Sequence, residues 1–341
     1  MSGEDEVYVL LIPHGLEEVV LRHVAAMPGA SEADLLTDGA VELRYAGPLT
    51  RLRDLRVAEG VFRLLGAFLS SRNLDEMMRN LFSQVDFRGC LKRGDAEPPD
   101  GRFSLSLSLD PALGIPYRDF RSEVAFALQA TLRTEPFSEE ADASIHVAAG
   151  PEAGWVGVGW SERHPAEKGG MIPASVAAGL ALWAGARPDD RVLDPFCGPG
   201  EVLRERALTG PAAALLGGDV DPKIVRSAQA RLREFPARLC RWDPRRLPLK
   251  ARSIDTVLSS LPSGPQAGSR QIARSLYQSL LRETLRLLRP TGRAVLLAGE
   301  GEVLAGLLAR QPEFAVEVQR PVRTGHFRAE LFVIRPVLKL L

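Results

Sequence analysis

Between Val192 and Leu203 the chain reads Val-Leu-Asp-Pro-Phe-Cys-Gly-Pro-Gly-Glu-Val-Leu, and this stretch limits the fold more than any other. A short apolar run ends in an acid, two glycines flank a proline in the turn, and Glu201 opens a helical pattern. That is a strand, a tight loop and a helix N-terminus, the ligand-cradling corner of a doubly wound α/β sheet. A helix with proline in its first turn, from Ile172 through Trp183, precedes it. Strand patterns at residues 191–193, 213–216, 237–240, 254–258 and 294–297 then alternate with helical ones. The rhythm predicts βαβ units and a mostly parallel sheet. Phe314 to Gln319 and Leu331 to Ile334 suit two terminal strands paired as an antiparallel hairpin at the sheet edge.

Charge says which ligand the corner suits. A dinucleotide fingerprint uses three glycines and aims backbone amides at a pyrophosphate. Here the third glycine position is Leu203, and Glu201 puts a negative charge where a phosphate would sit. S-adenosylmethionine carries a sulfonium and an ammonium and no phosphate, so it tolerates acids at both ends of the loop. The bland alternative is an ordinary βα turn with glycines for geometry alone. If the cofactor reading holds, an acid should end the next strand, roughly twenty residues on, to take the ribose hydroxyls. Gly217-Gly218-Asp219-Val220-Asp221-Pro222 supplies Asp219 at the strand tip, while Asp221 before Pro222 reads as a helix N-cap. Asp243 ends the third strand and reads equally as an acceptor for the adenine amine and as a turn residue before Pro244. The expected cofactor contacts are therefore Asp194, Phe196, Gly198, Gly200, Asp219 and Asp243.

The chain's 341 residues suffice for two or three domains, each with its own core. A 45% hydrophobic and 25% charged composition is that of a water-soluble protein. No segment approaches the roughly 18 uninterrupted apolar residues of a membrane span, and the acidic start Met1 to Glu6 does not resemble a secretory signal. A cytoplasmic location is expected. Cys90, Cys197 and Cys240 are odd in number and widely spaced, which indicates neither a disulfide framework nor a zinc site. The net charge of +0 is awkward for a nucleic-acid partner, although arginines concentrate locally at 241–246 and 320–328. Either run could equally be a solvated face.

The first half reads as α+β. Val7 to Ile12 and Val41 to Tyr45 are strands, a helix begins at Leu16, and helical stretches are expected at Leu52 to Leu65 and Leu74 to Val85. After a loop containing residues 97–101, Phe103 to Leu109 alternates without a break, a helix runs from Tyr117 to Leu132, and strands follow at 144–148 and 155–159. Phe120, Val124, Ala127 and Leu128 mark the helix's apolar side. His146, lone within a strand, reads as structural. Residues 161–170 lose periodicity and read as an interdomain link.

These motifs carry a resemblance. Asp194 to Gly200 is similar to the Asp-Pro-Phe-Cys-Gly-Ser-Gly loop of class I RNA and DNA methyltransferases. Pro13-His14-Gly15-Leu16-Glu17 and the α+β unit before the link resemble the N-terminal and THUMP domains of tRNA guanine-N2 methyltransferases, and Pro173 to Ala178 resembles that family's proline-led helix. The resemblance implies three parts: an N-terminal ferredoxin-like module at 1–60, a connecting segment with a THUMP-like RNA-binding domain at 61–163, and a Rossmann-like class I methyltransferase domain at 171–341. It further implies transfer of a methyl group from S-adenosylmethionine to an exocyclic amine of a tRNA guanine, with Arg118 and Arg121 as candidate phosphate contacts. Ser260, Leu261 and Pro262 occupy the methyl-acceptor position. There the chain departs from the enzymes it resembles, which carry Asn/Asp-Pro-Pro-aromatic or Asp-Leu-Pro-Phe-Gly. Here the acid or amide has become Ser260 and the stacking aromatic Ser263, ahead of Gly264. A serine hydroxyl can accept a hydrogen bond but cannot orient an amine as a planar amide does. Two rival readings follow: a tRNA-binding protein that keeps the fold without the chemistry, and a methyltransferase for another amine. No metal is expected, since displacement at a sulfonium asks mainly for alignment. Sequence leaves the oligomeric state open.

Overall fold

Phe103 and Leu105 of the alternating run are buried while Ser104 between them and Ser106 after them are not, so this strand presents one face to a core. The computed structural model describes residues 6–87, 103–132, 143–160, 171–262 and 270–337. Cys90, the 97–101 loop, the 161–170 link, Ser263 and Gly264 lie outside the described residues.

The first seven strands form one sheet, in the order β2-β3-β1-β4-β7-β6-β5. They are β1 (Glu6–Leu11), β2 (Ala30–Thr37), β3 (Ala40–Tyr45), β4 (Gly60–Leu69), β5 (Phe103–Leu109), β6 (Ala143–Ala149) and β7 (Ala153–Trp160). Every pairing is antiparallel except β5 with β6. Met77 and Leu81 of helix Leu74–Gln84, with Phe120, Val124 and Leu128 of helix Tyr117–Leu132, cover Ile145, Val147, Val156 and Val158. His146 lies on the other side of β6, with Phe62 and Trp155, its ring centroid 5.0 and 4.9 Å from theirs. Burial holds its pKa down, to about 4, which suits a neutral structural residue.

Two expectations for this half need correction. The helix from Leu52 to Leu65 is instead the short helix Leu49–Arg53 followed by strand β4. A register shift between Leu64 and Gly66 interrupts the period-two pattern of β4, and without that period its apolar run imitates a helix. Strand β2 was not expected. It lies at the sheet edge, paired only with β3, and its sequence Ala-Ser-Glu-Ala-Asp-Leu-Leu-Thr carries no alternation.

The second sheet has the order β10-β9-β8-β11-β12-β14-β13. Its strands are β8 (Arg191–Asp194), β9 (Ala214–Asp219), β10 (Ala237–Arg241), β11 (Ile254–Leu261), β12 (Leu288–Ala298), β13 (Phe314–Thr324) and β14 (Phe327–Pro336). The first five pair in parallel, and β14 joins β12 and β13 antiparallel. The expected doubly wound sheet and terminal hairpin are both present. The fold is α/β, with helices Ala174–Ala184, Glu201–Thr209, Pro222–Arg231, Arg270–Leu287 and Gly301–Leu308 packed against the strands. None of the helices among the described residues is long and apolar enough to cross a membrane.

Residues Ile12–His23 belong to the compact unit of this second sheet, together with His164–Leu341; Met1–Leu11 and Val24–Arg163 make up the other unit. His14 and Arg323 exchange backbone hydrogen bonds at 2.9 and 3.1 Å, and Glu18 meets Arg320 at 2.6 Å. Gly15 sits at φ +89, where a Cβ would come within 2.0 Å of the Pro321 carbonyl oxygen. Gly15→Ala should therefore destabilise the protein by about 1–3 kcal/mol, from the positive φ and the enforced separation from β13. Urea unfolding of the variant beside the native chain checks this; an unchanged midpoint would contradict the tight approach.

Candidate active site

Strand order reverses between β8 and β11, which lie side by side while their sequence neighbours β9 and β12 run to opposite edges. Such a point leaves a crevice at the carboxyl ends of the strands. Asp194 ends β8 there. Its Oδ1 accepts the Phe196 N–H at 3.1 Å and the Ser259 hydroxyl of β11 at 2.6 Å. The residue is 1% exposed. Burial pushes its carboxyl up to about 7, against the pull of both hydrogen bonds.

The loop beyond is fixed by backbone geometry. Gly198 and Gly200 take φ +50 and +91, left-handed values that favour glycine. The Trp242 indole N–H donates to the Pro195 carbonyl at 3.0 Å, and the Cys197 N–H to that of Gly218 at 3.0 Å. Burial raises the Cys197 thiol pKa, so the sulfur stays protonated and inert. Glu201, at the helix start, accepts the Met171 N–H at 2.9 and 3.0 Å and lies 3.8 Å from Arg231. The acid thus ties the segment before helix Ala174–Ala184 to the loop.

Above these strand ends lies a cavity of about 770 Å³. Of the expected cofactor residues, Phe196, Asp219 and Asp243 line it. Asp194, Gly198 and Gly200 lie in the loop beside it, where they set its shape. Asp219 accepts the Asp221 N–H at 3.0 Å, and Asp221 caps helix Pro222–Arg231 through the Lys223 N–H at 2.7 Å, as its sequence context predicts. The Asp243 carboxylate is gripped by the Arg245 guanidinium at 2.7 and 3.0 Å, and this hydrogen bonding holds its pKa below the usual carboxylate range. Val220, 56% exposed, adds an apolar surface beside these acids. Such a mixture of carboxylates and aliphatic surface fits a cationic, phosphate-free nucleoside better than a pyrophosphate.

Ser260, Leu261 and Pro262 line the same cavity at the end of β11, so the acceptor position and the cofactor side share one space. The Pro262 carbonyl accepts the Tyr277 hydroxyl at 2.7 Å. Sequence reasoning missed Tyr277 because it reads as one more inward residue of an amphipathic helix. Burial pushes its hydroxyl up to about 12, so it stays a neutral donor that fixes the acceptor loop. The hairpin residues Phe327 and Arg328 were also missed as lining residues.

An acid whose folded-state pKa lies above its unfolded value takes up a proton on folding, so its contribution to stability falls as pH rises between about 4 and about 7. Asp194→Asn removes that titration. Relative to the native chain, the variant should gain stability across this window, measured as urea midpoints at about pH 4.5 and about pH 7.5. A difference independent of pH would contradict a carboxyl titrating in this burial.

Comparison with known proteins agrees with this geometry. Residues 162–329 match the UPF0020 family model, described as RMKL-like, methyltransferase domain. The tRNA (guanine(6)-N2)-methyltransferase of Thermus thermophilus is 29% identical, over 94% of this chain and 96% of its own length. The human tRNA (guanine(6)-N(2))-methyltransferase THUMP3 is 29% identical over 48% of this chain, which spans only 36% of that longer protein. Among solved structures, TrmN from Thermus thermophilus superposes with a TM-score of 0.75 at 24% identity, covering 97% of this chain and 99% of that one. SMU.472, crystallised with SAH, gives a TM-score of 0.67 at 15% identity, covering 99% of this chain and all of that one. Residues 162–329 are thus similar to the UPF0020 methyltransferase domain, and the chain over nearly its whole length to a tRNA guanine-N2 methyltransferase, in keeping with the sheet order and the acid-led glycine loop.

Proposed function

We propose that the protein methylates the exocyclic N2 amine of a guanine in tRNA, using S-adenosylmethionine. The observation that carries this reading is the single cavity in which Asp219 and Asp243 on one side meet Ser260, Leu261 and Pro262 on the other. When bound, S-adenosylmethionine supplies a methyl group made electrophilic by its sulfonium. Asp219, at the tip of β9, accepts the ribose hydroxyls. Asp243 accepts from the adenine amine with the lone pairs that Arg245 leaves it, and Phe196 and Val220 cover apolar faces. The Asp219 and Asp243 carboxylates disfavour a phosphate in the same place.

At the acceptor side, the Ser260 hydroxyl and the main-chain carbonyl of Leu261 accept hydrogen bonds from the amine and orient its lone pair. Tyr277 holds the Pro262 carbonyl at the end of β11. The guanine must leave its stack to bring its amine to Ser260 and Leu261. Alignment of amine and methyl is the main contribution the site makes. The serine aligns less firmly than the amide or acid of the resembling enzymes. That one substitution favours the second reading, a tRNA-binding protein with the fold and little chemistry.

We assign modules at 1–60 and 61–163 ahead of the catalytic domain at 171–341; the first two share one seven-stranded sheet, and the second grips tRNA in the cytoplasm. Arg118 is exposed on helix Tyr117–Leu132, and Arg121 beside it donates to the Leu105 carbonyl at 3.4 Å. Both can present charge to phosphates.

Incubation with radiolabelled S-adenosylmethionine and unmodified bulk tRNA, followed by nucleoside mapping, tests the reading; the expected product is N2-methylguanosine. Asp219→Ala should weaken cofactor binding about 10- to 100-fold, as expected for lost hydrogen bonds to a charged group, with the fold retained. Cofactor binding without any methylated RNA would favour the second reading instead.

A further inference from the structure

We infer that Phe327, where the β13–β14 hairpin begins its return, is the ring on which the target base stacks. It replaces an aromatic that this chain lacks after Pro262, where Ser263 stands. The assignment rests on the methyltransferase reading above and adds a base-binding residue from a different part of the sheet.

The register of the sheet sets the geometry. Leu261 of β11 pairs with Ala298 of β12, and Ala298 pairs with Glu330 of β14. Adjacent strands lie ~4.8 Å apart, so β14 runs roughly 10 Å from β11 at this level. Leu297 and Gly299 line the cavity between them, and Gly299 brings no side chain into the gap. The result is a slot with the acceptor loop on one side and the start of β14, Phe327 to Ala329, on the other.

Chemistry narrows the role. A base drawn out of its stack loses the faces of its neighbours, and an aromatic side chain restores that contact for any base. Among the described residues that line the cavity, the aromatic rings are Phe196 and Phe327. Phe196 belongs to the cofactor loop, which leaves Phe327 for the acceptor side. The hairpin also braces the backbone that carries this residue. Arg328 Nη1 donates to the carbonyls of Phe327 and Gly325 at 2.8 and 2.7 Å, closing the turn on itself. The far side of β13 is clasped by His14 and by the Glu18–Arg320 pair. A site carried on braced strands keeps its geometry better than one on a free loop.

The test compares Phe327→Leu and Phe327→Tyr with the native chain. Three quantities are measured: kcat and KM for methylation of unmodified bulk tRNA, and the Kd for S-adenosylhomocysteine. Leucine keeps apolar bulk but offers no ring. The Leu variant should lose roughly 5- to 150-fold in kcat/KM for tRNA, the range of one base-aromatic stack, while the Tyr variant stays within about 3-fold of native. Affinity for S-adenosylhomocysteine should be unchanged in both. A Leu variant as active as the native chain overturns the assignment and leaves the methyltransferase reading standing. So does an equal loss in Leu and Tyr variants, or a loss of S-adenosylhomocysteine binding, since the residue would then act on the fold. A native chain that binds the cofactor but methylates no tRNA overturns the methyltransferase reading and the role of Phe327 with it.

Discussion

A buried carboxylate joins the two strands between which the site opens. Asp194 accepts a hydroxyl from Ser259 across the switch point and an N–H from Phe196 in its own loop. The first bond ties β8 to β11, and the second sets the direction in which the loop leaves the sheet. A charge with so little access to water is costly to bury, which is why its pKa rises. Both hydrogen bonds converge on one oxygen, Oδ1, and offset part of that cost. Ser259 and Ser260 are thus neighbours with opposite duties. Alternation along β11 sends Ser259 inward to the carboxylate and leaves Ser260 to line the cavity.

That alternation explains how much of the site was readable beforehand. Asp219 and Asp221 follow from rules that involve only their immediate neighbours, a strand tip and a proline-led helix, and both sit where those rules put them. The Ser259 partner of Asp194 was not legible, because an acid at the head of a glycine loop looks the same in sequence whether or not a neighbouring strand bonds to it. Only the pairing of β8 with β11 decides, and pairing between residues 65 positions apart leaves no local mark. Tyr277 and Phe327 were hidden for the same reason. Each carries an ordinary apolar pattern, and each reaches the site through a long-range neighbour.

The fold was readable to a similar depth. Strong periodicity identified the parallel strands and the terminal hairpin. It failed at β4, where a bulge breaks the period, and at the edge strand β2, which needs no apolar alternation because it packs so little. The placement of Ile12–His23 was equally invisible. A segment that follows the first strand of one sheet is expected to stay with it, yet Gly15 and His14 join β13 in the other compact unit. What marks the segment is the glycine itself, whose positive φ allows contact with the Pro321 carbonyl.

A net charge of zero looked like an obstacle to an RNA substrate, and the distribution of charge around the cavity removes it. The acids concentrate where a cationic cofactor is expected: Asp219 and Asp243 line the cavity, and Asp194 lies behind the loop. Arginines 245 and 328 belong to the same cavity wall. Arg245 neutralises Asp243 by direct contact, and Arg328 is spent on the carbonyls of its own turn without losing its charge. A polyanion meets these guanidinium groups at close range, within a Debye length of about 8 Å, where the chain's overall balance counts for little. Affinity for RNA then depends on which charges lie near the cavity and not on the sum over the chain.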